Sequence, residues 1–400
     1  MFLSLAPLRD RRDRVAGYLV SAQPADNRAA HVDAAARELL ERVPALCRLA
    51  GRTVIVPVTP AMVHEGHIER LVNLDAVWML AADALEDVET RRDLERLVGA
   101  GVHVALHGFP DGAQLSGWMA EIMVALDAAR LSPTMLEIRV RMLHDSGLRP
   151  LVLGVDDRVT RHRVMQAGAQ LYGGRTLIRS AAAGADRTME QSILHSVEML
   201  AGYAEGRTQE DAFDRFVQED PVIAASLLRA VSSAAIGVRQ ARSVDHAVKL
   251  LGREAILERL IGVTARMVGE VAADPELAFV ALRRAKLVER LGKALATNVH
   301  PRALMLTGLL STLEQALALP PTELVQRMAL PPALADALIE RQRPVGQLLD
   351  LVDALEFGWW DCFLHRCQQL ELRPQMVSDL WLEAWHWARE EQAAGRADFL

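Results

Sequence analysis

The chain has 400 residues, with 45 Lys and Arg against 52 Asp and Glu, a net charge of -7, and 51% hydrophobic and 24% charged residues. At roughly 100 to 200 residues per domain this predicts two or three domains, and so apolar a composition excludes an intrinsically disordered chain. The acidic balance gives no global attraction for nucleic acid or anionic lipid, and the three cysteines, Cys47, Cys362 and Cys367, are too few for a disulfide framework, which predicts a reducing, cytoplasmic setting.

The apolar opening Met1 to Leu8 is followed by the charges of Arg9 to Arg14, the reverse of a secretory signal. No window is long and apolar enough for a spanning helix, so neither membrane nor nucleic acid is expected as a partner. Short apolar runs follow at Val15 to Val20, Thr53 to Val58, Ala76 to Ala81, Val102 to Leu106 and Leu151 to Val155, bounded by Gly, Pro or Asp, and these read as buried strands. Between them Ala29 to Leu49, Pro60 to Leu74, Leu85 to Val98 and Val159 to Ala167 have helical spacing. Strand and helix in alternation predict a parallel sheet or barrel with helices outside, and functional residues in the loops after the strand C-termini. The first 182 residues are short for a complete eight-stranded α/β barrel of about 250 residues, so a missing strand or helix, and an incomplete barrel, are expected.

After the small-residue stretch Ser180 to Ala185 the strand signals end, and residues 187–400 read as a separate all-helical domain. Helix starts are marked by Asp220-Pro221, Ser243, Asp274-Pro275, His300-Pro301, Leu330-Pro331 and Arg373-Pro374. The predicted fold class is thus α/β plus all-α, divided as 1–182 and 187–400.

Two stretches carry a family resemblance. Val15-Ala16-Gly17-Tyr18-Leu19-Val20, Ala105-Leu106-His107-Gly108-Phe109 and Leu171-Tyr172-Gly173-Gly174 resemble strand ends of the EAL domain, the cyclic di-GMP phosphodiesterase fold. The segments 220–231, 243–252 and Gly308-Leu309-Leu310-Ser311 resemble the HDOD domain. Their order resembles that of EAL-HDOD signalling proteins, which implies a TIM-barrel-like first domain and a helical second one.

The departures from the EAL pattern fall on its chemistry. That family's hydrolysis implies two divalent cations held by carboxylates and an asparagine at the strand ends, because hard cations need oxygen ligands. Here the signature glutamate position holds Leu19, its arginine partner Gln23, and the asparagine position Pro57. The paired aspartates become His107 and Gly108, and the downstream acidic strand end reads Val152, Leu153 and Gly154, which leaves Asp127 and Asp156 as the acids at matching positions. Likewise the His-Asp pair of HD phosphohydrolases corresponds to Ser311 and Thr312. The expectation is a protein with no catalytic residues, no metal and no cofactor.

The resemblance implies a bacterial signalling scaffold acting by protein contacts, with a response regulator, kinase or diguanylate cyclase as partner. Its alternative is a receptor that binds cyclic di-GMP without hydrolysing it, through Gln23, Asp156, Tyr172, Gly173 and Arg175. For a partner surface the candidates are Arg229, Arg239, Lys249 and Arg253 around the HDOD-like motif, and Trp381 and Trp385 near the C-terminus. A solvated basic face and ordinary helix packing are the competing readings of those two sets. His103 and His107, four apart on one strand, lie on one face, while His64 and His67 lack the spacing of a zinc helix.

Overall fold

The computed structural model describes residues 2–23, 32–109, 122–174, 187–204, 252–317, 319–328 and 330–396, together with 216, 220, 223–228, 246 and 248–249. Two compact units result, one of Met1–Ile178 with Leu355–Trp360, the other of Arg179–Ala354 with Asp361–Leu400. The expected linker Ser180 to Ala185 lies outside the described residues.

The first unit is a closed eight-stranded barrel. Its strands are β1 (Phe2–Asp10), β2 (Val15–Gln23), β3 (Thr53–Pro57), β4 (Ala76–Ala81), β5 (Val104–His107), β6 (Met123–Asp127), β7 (Arg149–Leu153) and β8 (Leu171–Tyr172). From β2 to β8 all neighbours pair in parallel, whereas β1 pairs antiparallel with both β2 and β8. Of the two expected economies, a missing strand or a missing helix, the structure has the second: the ring of eight strands is closed, a two-residue β8 completes it, and a hairpin turn at Asp13 joins β1 to β2 without a crossover helix. Along β3 to β7 the odd-numbered residues point inward. Ile55, Val77, Met79, Ala105, Met123, Ala125 and Leu151 form one interior cluster with Leu8, and Leu19, Leu153 and Leu171 pack against it.

Outside the barrel run α1 (Val32–Ala50), α2 (Pro60–His64), α3 (Val88–Gly99), α4 (Pro133–Asp145) and α5 (Arg158–Ala167). Side-chain caps start three of them: Asp87, Ser132 and Asp157 accept from the backbone N–H of Thr90, Met135 and Thr160. The helix expected over Pro60 to Leu74 ends at His64, because Gly66 turns left-handed at φ 68° and only a 3-10 turn at Glu69–Leu71 follows.

In the second unit the elements are α6 (Arg187–Ala204), α7 (Arg253–Val271), α8 (Pro275–Ala294), α9 (Pro301–Leu310), α10 (Leu313–Leu317), α11 (Pro321–Arg327), α12 (Pro332–Ile339), α13 (Arg343–Glu356), α14 (Trp360–Gln369) and α15 (Pro374–Arg396). Prolines stand at the first turn of α8, α9, α11 and α12, where their missing N–H costs nothing. Asp274 and His300 cap α8 and α9 through side-chain bonds to the N–H of Glu276 and Arg302. Helix α8 is the central element, buried along most of its length and packed by α7, α9 and α15. At its crossing with α9 a β-carbon on Gly308 would meet the carbonyl oxygen of Arg284 at 2.4 Å, so only glycine permits the approach.

Candidate functional site

The C-terminal ends of β2 to β7 form the barrel mouth. Strand pairing sets His107 beside Ala81 and Ala125, Pro57 beside Met79, and Asp127 beside Leu153. With Leu19 and Leu153 packed on the interior cluster, the layer under the mouth is a lid of aliphatic side chains. Such a surface offers a hard cation nothing to bind. The residues present do not fit the two-metal centre that the EAL resemblance implies, and no group of three or more potential ligands clusters among the described residues.

The acids near the mouth hold local structure. Asp127 Oδ1 accepts from the Ala129 N–H at 2.9 Å, and Oδ2 lies 3.4 Å from Arg130 Nε. Gly154 has φ 70°, and a β-carbon there would stand 3.2 Å from Asp127 Oδ1. One residue past Asp156, Asp157 accepts from both the N–H and the hydroxyl of Thr160, at 2.8 and 2.6 Å, and these bonds hold its carboxyl below the usual carboxylate range. A cavity of about 260 Å³ lies here, lined by Gly154, Asp156, Asp157, Thr160 and Arg163. The sequence reading missed the last three, although Asp157 and Thr160 carry the spacing of a helix N-cap.

Several candidate residues stand elsewhere than expected. Tyr172 is corrected from nucleotide ligand to barrel fastener: Leu171 faces the interior, so Tyr172 faces out under α5 and is buried. Its hydroxyl donates to Asp13 Oδ1 at 2.6 Å, and Arg161 donates to both Asp13 and the tyrosine oxygen. Burial, reinforced by the Asp13 bond, pushes the phenol up to about 12. Gly173 is spent on backbone pairing, donating to Val152 and accepting from Val155, and a β-carbon there would meet Leu8 Cδ2 at 2.7 Å. Gln23 is half-buried at the end of β2, and Arg175 lies outside the described residues. His103 and His107 occupy opposite ends of the barrel, about 13 Å apart at strand rise, and share no metal. His64 and His67 are hydrogen-bonded to Asp93 and Glu65 at 2.7 Å each, in a partly exposed side-chain network.

In the second unit the Ser311-Thr312 pair closes α9. Ser311 Oγ donates to the Gly308 carbonyl and Thr312 Oγ1 to that of Leu309, both at 2.6 Å. Where the HD resemblance implies a cation, a guanidinium stands: Arg284 donates to Ser311 Oγ at 3.2 Å and to Asp353 Oδ1 at 2.7 Å. Asp353 also meets Arg341 at 3.3 Å, and Asp350 meets Arg366 at 2.9 Å, so fixed charges of the chain balance one another. Trp381 and Trp385 are corrected from partner anchors to core: both are fully buried, stacked edge to face with centroids 5.0 Å apart, and Arg283 sits 4.5 Å over the Trp385 ring. Lys249 is exposed, the side chain of Arg253 is not described, and Arg229 and Arg239 lie outside the described residues.

Comparison with known proteins gives matches to both halves. The chain is 24% identical over 324 residues to the uncharacterized protein YuxH of Bacillus subtilis, covering 77% of this chain and 78% of that protein. To the cyclic di-GMP phosphodiesterase CdgJ of Vibrio cholerae it is 21% identical over 335 residues, covering 82% and 77%. Solved structures matched include the PaMucR phosphodiesterase in complex with c-di-GMP, at TM-score 0.37 and 16% identity over 44% of this chain and 95% of that one. The FimX EAL domain of Pseudomonas aeruginosa bound to c-di-GMP matches at TM-score 0.35 and 15% identity, over 43% and 87%. Residues 196–319, within the helical second unit, match the model of the HDOD domain.

Proposed function

We propose that this protein is a non-catalytic regulator in cyclic di-GMP-linked signalling that works through protein contacts. The observation that carries this reading is the barrel mouth, where Pro57 and Leu153 stand at strand ends, Leu19 packs on the interior cluster from within β2, and Asp127 is bonded to the backbone of its own turn. Phosphodiester hydrolysis needs a barrier lowered by about 8 to 23 kcal/mol, most of which a two-metal clamp supplies. Without oxygen donors in a ring, that term has no source. The guanidinium of Arg284 supports the same reading for the second unit, since a positive charge already sits beside Ser311. Protein contact is further supported by α4, which leaves Met135, Ile138 and Met142 exposed along one face at helical spacing.

The test is incubation of the pure full-length chain with cyclic di-GMP and magnesium or manganese, followed by chromatography for the linear dinucleotide. No linear product is expected, and metal-dependent turnover would overturn the proposal. Calorimetric titration of the nucleotide separates the scaffold from a non-hydrolysing receptor, with no heat expected for the scaffold. The bond from the Tyr172 hydroxyl to Asp13 supports the scaffold over the receptor reading.

A further inference from the structure

The barrel has a second opening. At the N-terminal ends of its strands, the pole opposite the mouth, lies a cavity of about 470 Å³. Barrel interiors are ordinarily closed by layers of branched side chains, and this layer is not. Gly17 contributes no side chain, and none fits: a β-carbon would sit 2.6 Å from the Thr53 carbonyl oxygen. Thr53 is small, while His103 and Arg149 are exposed at the rim. The floor is apolar, made by Ile55, Val77, Met123 and Leu171 of the interior cluster.

The rim is charged and largely uncommitted. Arg149 Nε donates to Gln170 Oε1 at 2.9 Å, which fixes the plane of the guanidinium, and among the described residues no carboxylate pairs with its terminal amino groups. The His103 ring likewise has no hydrogen-bond partner among them. Asp75 stands at the start of β4, one strand from His103 but three strands from Arg149 and so about 14 Å from it around the sheet. A fork of unpaired N–H donors above an apolar floor suits a carboxylate on a hydrocarbon stem. The acid on the far rim disfavours a second negative charge at the other end of that stem.

We propose that the N-terminal pole of the barrel is a binding site for a small amphipathic monocarboxylate, its head on Arg149 and its stem on the aliphatic floor. This inference is independent of the mouth and of the signalling role. It is tested on the full-length chain by ligand-observed NMR and calorimetry with octanoate, and with octylamine and suberate as controls. Octanoate is expected to bind with a Kd of about 1 mM or tighter. Octylamine and suberate are expected to bind at least about tenfold more weakly, for want of the fork and because of Asp75. R149Q, an exposed position whose loss leaves the core intact, is expected to weaken octanoate about tenfold or more. A16W keeps Arg149 but obstructs the exposed rim, and should weaken it similarly. H107A, at the opposite pole, should leave the affinity unchanged. Absence of octanoate binding, equal binding of the amine, or an R149Q variant with wild-type affinity and an intact circular dichroism spectrum would each overturn the proposal.

Discussion

The Tyr172 hydroxyl ties together three pieces of chain that sequence separates widely: the β1–β2 turn through Asp13, α5 through Arg161, and β8 itself. Removing it as Y172F leaves the Asp13–Arg161 pair but deletes a hydrogen bond to a charged acceptor, so the barrel should lose about 1 to 2 kcal/mol in chemical denaturation. The same bond gives a pH signature. The phenol ionises at about 12 in the folded state against an ordinary value of 10.0. A group whose pKa is raised on folding contributes fully below the unfolded value, and that contribution is lost as pH climbs from 10 through 12. Wild type should therefore lose stability across this window more steeply than Y172F, and the absorbance step of phenolate at about 12 should vanish in the variant. Parity explains why the sequence misassigned this residue. In a strand of two residues no alternation announces which side chain turns outward, and the Leu171-Tyr172-Gly173-Gly174 string reads equally well with the ring in the mouth.

Helix α14 shows how an element sorts chemically identical side chains. Phe363 and Cys367, four apart, face the core, whereas Cys362 is exposed. Burial pushes the Cys367 thiol up to about 12, so thiolate is scarce at neutral pH. Ellman's reagent should titrate Cys362 rapidly in the native protein and Cys367 only on unfolding. In a C47S background the C362S change should remove the rapid phase, and rapid labelling of that double variant would show α14 to be packed otherwise. A second element-level prediction concerns α8, whose Arg284 is nearly buried and pairs with Asp353 of α13. R284M removes one partner of a largely desolvated pair and should cost about 3 kcal/mol, read as a lowered denaturation midpoint. The D353N change, which leaves Arg284 its bond to Ser311, should cost less. Legibility also divides by element. Strands Thr53–Pro57 and Ala76–Ala81 are continuous apolar runs between turn residues and were readable to within a residue. Met123–Asp127 was not, because its Met-Val-Ala-Leu-Asp is flanked by alanine, glutamate and arginine, all good helix formers, with no glycine or proline to punctuate it. β1 was hidden by its double burial, which makes an edge-closing strand look like an apolar leader.

At the scale of the whole molecule, a metal centre in a barrel belongs to no single strand. It is a ring property, drawn from several strands held in register, and residues without a side-chain oxygen here are spread over β2, β3 and β7 at Leu19, Pro57 and Leu153, with Gly108 just past β5. Residue types at the mouth can be read from letters, whereas the second opening at the other pole arises only when Gly17, Thr53, His103 and Arg149 meet around a closed sheet. The ring argument also predicts the outcome of partial restoration. Leu19 packs against the interior cluster beside Ile55. Placing a carboxylate there as L19E costs desolvation with no cation to repay it, so the variant should be destabilised by about 2 to 4 kcal/mol. Manganese should not raise its melting temperature, since one carboxylate cannot supply the several oxygens that a hard cation requires. If L19E alone instead gained a manganese-dependent stabilisation, the remaining mouth residues would have to be contributing ligands, and the proposal of a non-catalytic barrel would lose its support.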